Sequence, residues 1–580
     1  MCMRQKKMVR LGIALVLILS LVLSACSSGG GEKANNEPAN NGQETANQTA
    51  NTPAAEEPKG EEPAPEEPIT LSFYVNYDWY SPKGYGNTPA TKWIIENKKV
   101  TVEEISAGGN AKQKLGTIIA SNEFPDIVQM DRGTEFNELV KNGKIVSYDQ
   151  YLEDGTMPNL KAQMSPEALN MLRAEDGKLY GIPNWFNNSG KNPNPVTTNW
   201  GWLVNNKYYT ELGSPSLETW DDIYNFAKQV KEKYPDVVPV ELGHVSKGVI
   251  MAHPMLYAMG GEKRVPGFAK TDDFLARGDF DTHTFTSIFE DPAYKESLAF
   301  INKLFREKLA SQDLFTQKLE QAKEKINTGK AAIVAIAESD KIGEDANNAI
   351  EGEANDYLPI KWPVKAGVDR MSTYALTTGD LGWNFNAVTV NAKDPKRAFA
   401  FIDWHFSDEY TRIFKYGRPG VLWDEVDEET GVPVLGDKWK NADEQTKKDE
   451  KLGDWNMAGS SYNGGRMEFE ARQADPDFKP SWSAQARETN WSDAVMGKVS
   501  GDQFNDHRSF PAGSPEEQAW VRIQQIMEKS IAKLVYAKTD DEFNKEFDLA
   551  KSEAEKAGYQ KILDYKTKVW QNNLNKMGGK

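Results

Sequence analysis

The strongest constraint on this chain lies between Ile69 and Met130, where extended and helical periodicities alternate across short connections. The body opens "ITLSFYVNYDWY", in which Ile69, Leu71, Phe73 and Val75 fall on one side of a strand. A helix-length segment through Trp93 and Glu96 follows, and "KKVTVEEI" reads as a second strand. Next comes "AKQKLGTIIASNEFPDIVQM", a helix running into a short apolar strand from Asp126 to Met130, and then a helix in "TEFNELVKNGKIVSYDQYL" stopped by Gly143. Strands joined through helices need crossover connections, so the pattern predicts an α/β fold built on a parallel sheet.

Further helices carry their own start and stop signals. Thr219 and Asp222 form a capping box ahead of a stripe of Ile223, Phe226, Ala227 and Val230. Asp291 and Asp394 are each followed by proline, the arrangement of an N-cap with Pro at the first helical position. Thr539 and Glu542 open a helix striped by Phe543, Phe547, Ala550 and Ala554 and closed by Gly558. A chain of 580 residues is long for one core, so two or more domains are expected.

The ends of the folded body are set by composition. Arg4, Lys6, Lys7 and Arg10 precede "LGIALVLILSLVLSA", an apolar run too short to span a bilayer and of the right length for an export leader. Leu23, Ser24, Ala25 and Cys26 then resemble the bacterial lipobox, which implies cleavage after residue 25 and a lipid on Cys26. Only one other cysteine, Cys2, is present, so no disulfide framework or thiolate metal site is expected. From residue 26 to 68 the chain is rich in Asn, Gly, Glu and Pro, with almost no large apolar side chain. It reads as a disordered spacer between anchor and body. Its length points to the outer face of the membrane of a Gram-positive cell.

Chemistry-bearing motifs are absent. No H-E-x-x-H helix, G-x-S-x-G elbow or G-x-x-x-x-G-K-[ST] loop occurs. His244, His253, His283, His405 and His507 include no pair at i, i+4, and His405 on an apolar helix is read as structural. Asp279, Asp281, His283 and Glu290 fall on a calcium-loop frame, but Thr284 stands where that frame needs Gly. No catalytic residue, metal or cofactor is therefore expected. The net charge of −17 argues against nucleic acid as a partner.

What remains is aromatic: 16 Trp and 21 Tyr, several beside turn residues. Trp79 and Tyr80 follow the first strand, and Trp185, Trp200, Trp202, Trp383 and Trp455 sit among Asn, Asp and Gly. An indole face beside polar groups suits a sugar ring, whose C–H face stacks while its hydroxyls hydrogen-bond. Ligands of open α/β sheets bind beyond the strands' carboxyl ends.

"SNEFPDIVQM", "LVKNGKIVSYDQYL", "DGKLYGIPNW", "WLVNNKYYTELGSPSLETWDDIYNFAKQVK", "NTGKAAIVAI" and "NAKDPKRAFAFIDWHFSDE" occur in an order that resembles the bacterial extracellular solute-binding proteins of carbohydrate ABC importers. The resemblance implies a two-lobed, type II periplasmic-binding-protein-like α/β fold with a hinge and an interlobe ligand cleft. It places lobe one in residues 69–190 and 356–420, and lobe two in residues 191–355 and 421–580. It implies that Asp78, Trp79, Tyr80, Asp131, Arg132, Trp185, Glu338, Ser339 and Trp383 face the cleft, with His253 and Tyr257 as further candidates. Some large relatives carry a calcium loop after the helix beginning "TWDD"; here "EKYPDVVPVELG" lacks its frame, and no calcium is expected there.

The expected function is capture of an oligosaccharide and its delivery to the permease subunits of an ABC importer, by a lipid-anchored protein acting as a monomer. The alternatives are a surface glycan-degrading enzyme and a receptor of the same fold for a non-sugar solute.

Overall fold

A computed structural model describes residues 67–577 apart from 83, 189–198, 247, 351, 353–354, 378, 453–464, 468, 471–481, 492–496, 506–509 and 512. The leader, Cys26, most of the spacer and Trp455 thus lie outside the described residues. No helix among the described residues is long and apolar enough to cross a membrane.

The two largest cores among the described residues each form around a four-stranded sheet. Strand β1 (Ile69–Val75) leads through helix α1 (Pro89–Lys98) to β2 (Val100–Ser106), then through α2 (Ala111–Ser121) to β3 (Ile127–Met130). Thr88 starts α1 with a capping box to Thr91 and Pro89 sits in its first turn, so the backbone is committed to a helix there. Both neighbours of β1 run parallel to it, with Ile69 opposite Val100 and Phe73 opposite Ile127. The parallel α/β unit expected from the periodicity is present.

The second sheet comprises β4 (Gly201–Asn205), β5 (Val238–Glu241), β6 (Ala331–Ile336) and β7 (Tyr357–Ile360), in the order β7-β4-β6-β5. Strands β5 and β6 are parallel, whereas β4 is antiparallel to both β6 and β7. Around this sheet, Trp202, Trp362 and Trp570 are fully buried in the larger core. The expected caps are in place at Thr219 with Asp222, Asp291 before Pro292, Asp394 before Pro395, and Gly558 at a left-handed φ of 102°. Thr539 caps its helix by accepting the Glu542 N–H, but the expected box does not close, since the Glu542 carboxylate accepts the Lys538 N–H instead.

Strand β8 (Tyr374–Thr377) pairs in parallel with β10 (Gly497–Ser500), and β9 (Phe385–Val388) then returns to the first sheet. There it runs antiparallel to β3, giving the order β9-β3-β1-β2.

The division between lobes differs from the expected one at both later boundaries. Residues 357–360 are the edge strand of the second sheet, with Leu358 opposite Val204 and the Tyr357 hydroxyl donating to the Ala331 carbonyl at 2.7 Å. The chain therefore rejoins lobe one near Phe385, not at Asp356. It also stays there beyond Gly420: Arg418 forms an ion pair with Glu450, Leu452 belongs to the first core, and Arg466 reaches Asp408 at 3.0 Å. Lobe two resumes with the helix Trp482–Trp491, whose Asn490 Oδ1 accepts the Trp202 N–H at 2.6 Å.

Asp126 fastens the first lobe. Its carboxylate accepts the Ser72 N–H at 2.8 Å, the Ser72 hydroxyl at 2.5 Å and the Lys393 N–H at 2.8 Å. Burial pushes this carboxyl up, but the hydrogen bonds from Ser72 and Lys393 and the Lys393 charge outweigh it, holding the group below its usual range. A depressed carboxyl stabilises the fold above the unfolded pKa and loses that contribution as pH falls through the folded one. Asp126→Asn is expected to cost about 1.5–3 kcal/mol at pH 7, the range for hydrogen bonds to a charged group. Melting temperatures of the two proteins should converge toward pH 2; a gap independent of pH contradicts this account.

Candidate functional site: an aromatic platform at the edge of the first sheet

The topology gathers three segments at one sheet edge. Residues after β1 and β3 leave from the carboxyl ends of parallel strands. Because β9 is antiparallel, its first residue, Phe385, lies opposite Met130 at the end of β3, so residues 379–384 arrive at the same edge. This is where open α/β sheets present ligands.

Trp79, Tyr77 and Trp383 meet there. Tyr77 lies 5.2 Å from Trp79 and 5.1 Å from Trp383 between ring centroids, and Trp79 lies 6.2 Å from Trp383. Interplanar angles are 20°, 26° and 23°, so the rings are nearly parallel. On a single stacking axis the outer pair would stand much farther apart, so the rings form offset tiles. Trp79 is 58% exposed and Trp383 38%, whereas Tyr77 is buried, so the two indoles offer the accessible faces. Tyr80 stands edge-on to Trp79 at 6.2 Å.

The neighbouring polar groups hold the platform. Asp131 accepts the Tyr77 hydroxyl at 2.8 Å. Arg132 donates from Nε to the Trp383 carbonyl at 3.2 Å and from Nη2 to the Gly382 carbonyl at 3.1 Å, with its guanidinium over Phe385. Asp78 Oδ1 accepts the Ala111 N–H at 2.6 Å, tying the loop after β1 to the start of α2. The Tyr80 hydroxyl donates to Glu104 at 2.5 Å. Burial, then the Glu104 hydrogen bond and charge, push this phenol well above its usual value, so it stays a neutral donor. Sequence reasoning missed Tyr77, although period two from Phe73 and Val75 puts it on their side of the strand.

Trp185 lies next to Asn184, whose carbonyl accepts the Trp383 N–H at 3.1 Å, but its ring packs edge-on to Phe414 at 6.3 Å. Glu338 is exposed at the end of β6, in a left-handed conformation ahead of the helix Ser339–Ala349. Ser339 is buried and donates its N–H to the Asn199 carbonyl at 3.1 Å. These two belong to the corresponding edge of the second sheet, where Ile336 faces Gly201. Trp200 is half-buried with the Lys270 ammonium 5.7 Å from its ring, and Trp202 is a core residue.

His253 and Tyr257 are not part of either edge. Both lie in the helix His253–Ala258, all of whose residues are buried. His253 Nε2 is 3.0 Å from the Ser297 hydroxyl, and burial pushes its imidazole down to about 3. The Tyr257 hydroxyl donates to Asp291 at 3.1 Å. They serve the core, because every residue of this helix is buried and both polar side chains are engaged by groups of the same core. His405 is likewise buried, with Nδ1 2.7 Å from the Phe401 carbonyl. Among the described residues no group of three or more His, Cys, Asp or Glu is placed to hold a metal ion. Asp279 instead accepts the N–H groups of Asp281 at 2.9 Å and Thr282 at 3.0 Å, as a turn residue.

Solved structures share this architecture. The alginate-binding protein AlgQ2, in a crystal structure without calcium ion, matches with a TM-score of 0.62 at 16% identity, covering 87% of this chain and 98% of its own. The substrate-binding protein FusA of S. pneumoniae, in complex with kestose, matches at 0.60 and 17% identity over 87% and 99%. An HMO-binding solute-binding protein from Bifidobacterium longum infantis matches at 0.59 and 17% identity over 87% and 98%. At these identities the likeness establishes the two-lobed fold. No curated protein sequence matches the chain. The family model described as bacterial extracellular solute-binding protein matches residues 95–412, more than half of the chain. This protein belongs to the bacterial extracellular solute-binding proteins.

Proposed function

We propose that this protein is a lipid-anchored receptor on the outer face of the cell membrane, which captures an oligosaccharide and delivers it to the permease subunits of an ABC importer. The observation that carries the reading is the platform of Tyr77, Trp79 and Trp383, two of whose indoles keep open faces at the sheet edge. Such faces stack on the C–H face of a pyranose or furanose, and polar groups around them orient the hydroxyls. Structural neighbours whose names record binding of alginate, HMO or kestose add to it. Capture is binding without turnover: lobes closing about the crossings gain contacts that only the liganded form makes. Glu338 and Trp200 on the second sheet's edge would complete the site from the opposite lobe. Trp185 would border it at the crossing, with Trp455 as a further candidate.

Calorimetry against a panel of neutral and uronate oligosaccharides tests the reading, followed by analysis of the recovered sugar. Saturable binding with intact ligand is expected; shortened products in the recovered pool would establish an enzyme instead. The anchor rests on "LSAC" behind a basic, apolar leader. Diacylglycerol on Cys26 would supply the two chains that stable attachment needs. Cys26→Ala should move the protein from the membrane fraction to the medium, or leave it unprocessed, with glycan binding by the purified body unchanged. Retention of processed protein on the membrane refutes the lipid assignment.

A further inference from the structure

The turn that delivers Trp383 to the platform is gripped from both lobes. On the lobe-one side, Arg132 at the end of β3 holds the carbonyls of Gly382 and Trp383, and the Asn184 carbonyl accepts the Trp383 N–H. The Gly379 carbonyl accepts the N–H groups of Asn187 at 3.0 Å and Gly382 at 3.2 Å, closing the turn on itself. On the other side stands Asp502, in a short 3-10 segment, Gly501–Phe504, that follows β10. That segment belongs to lobe two: Phe504 is in the larger core, and Gln503 accepts the Trp570 indole N–H at 2.8 Å. The buried Asp502 carboxylate accepts the N–H of Asp380 at 2.7 Å and of Leu381 at 2.9 Å, and is steadied by the Ser500 hydroxyl at 3.1 Å.

Two glycines record how tightly these grips close. A Cβ on Gly379 would collide with the Asp502 carboxylate, and its three nearest neighbours would all be Asp502 atoms. A Cβ on Gly382, at a φ of 57°, would collide with the Asn184 carbonyl oxygen. The turn thus has little freedom of its own.

We propose that Asp502 is a positioning residue for ligand capture: with Arg132 it sets the face of Trp383, so that the orientation of a lobe-one stacking surface is dictated partly from lobe two. The proposal rests on Trp383 being a ligand-stacking residue, as in the function proposed above. Its physical content is reciprocal. A sugar that stacks best on one orientation of Trp383 favours the arrangement of lobe two in which Asp502 enforces it. Asp502 touches no ligand in this scheme and acts through two backbone N–H groups.

The test reads the platform without ligand, so that its failure is separable from failure of the glycan reading. The Trp383 signal is taken as the near-ultraviolet circular dichroism of the wild type minus that of Trp383→Phe, because a side chain contributes there only when its packing is fixed. In an Asp502→Ala background the same difference is expected to lose at least about half its amplitude, with far-ultraviolet spectra unchanged. Gly379→Ala should reproduce that loss in the otherwise native chain and add little once Asp502 is alanine, since the three atoms nearest the new methyl all belong to the Asp502 carboxylate. A Trp383 signal absent from the wild type, or kept in full when Asp502 is replaced, overturns the proposal. So does an equal effect of Gly379→Ala in both backgrounds.

Discussion

If the aromatic platform is the capture surface proposed above, Trp383→Ala is expected to lower glycan affinity at least about 30-fold, the factor that corresponds to about 2 kcal/mol for truncation of an aromatic anchor. Trp79→Ala acts in the same direction. Both indoles already spend much of their surface in water, at 38% and 58% exposure, so removing them opens no large cavity. Melting temperatures within about 2 °C of the wild type are expected, as for surface substitutions. Calorimetry and thermal melts on the same preparations separate the two effects. The pair should not be additive, because each ring leans on Tyr77 and on the other. If both variants bind every glycan that the wild type binds, with unchanged affinity, the platform is not the capture surface.

Arg264→Met has the largest expected effect on stability. Asp291 is fully buried in lobe two and is held by Arg264 through Nε at 2.6 Å and Nη2 at 2.8 Å. Its remaining acceptor capacity serves the Ala293 N–H at 3.1 Å, as N-cap of the helix Pro292–Arg306, and the Tyr257 hydroxyl at 3.1 Å. Methionine fills most of the arginine's volume but leaves a carboxylate without its cation in a core of low polarity. Such a loss costs about 3–5 kcal/mol. Urea denaturation should show the shift, and Asp291→Asn in the Arg264→Met background should recover part of it by removing the stranded charge. A loss below about 1 kcal/mol would mean that water reaches Asp291, which its zero side-chain exposure contradicts.

The Asp291 cluster also illustrates what sequence could convey. The Asp-Pro helix start was legible, because a cap is a local contract between a side chain and N–H groups one turn away. That the same carboxylate pairs with Arg264 and Tyr257 was not, since those contacts depend on where three distant segments meet. Tyr257 and His253 therefore read as candidates for a ligand although they are core residues. The first sheet was legible in its parallel part because β1 and β2, seven residues each, are long enough to read as strands, and β3 is a short apolar run directly after a helix. Strand β7 was not: "YLPI" is short and carries Pro359, which interrupts a strand pattern. Proline is tolerated there because the strand lies at an edge, pairing with β4 alone.

The platform itself was legible by half. Trp79 and Trp383 stand out as tryptophans beside turn residues, and strand-end placement gives the reason to gather them. Tyr77 does not stand out, for it looks like one more residue of an apolar strand. Asp131 and Arg132 were expected to face a ligand. Their contacts show them fastening Tyr77 and the Gly382–Trp383 backbone, a service that no pattern of residue types discloses.

The late arrival of β9 has a bearing on how the protein is made. The first sheet begins at Ile69, yet its fourth strand comes from residues 385–388, after all four strands of the second sheet have been synthesised. Until then the β3 side of that sheet is an open template of unpaired backbone groups. Phe399 and Ile402, which fill the same core, come later still. If the chain is exported behind the leader proposed above, it would expose an unfinished lobe one for most of its passage. That window, more than either finished lobe, is where extracellular chaperones and proteases would find their opportunity.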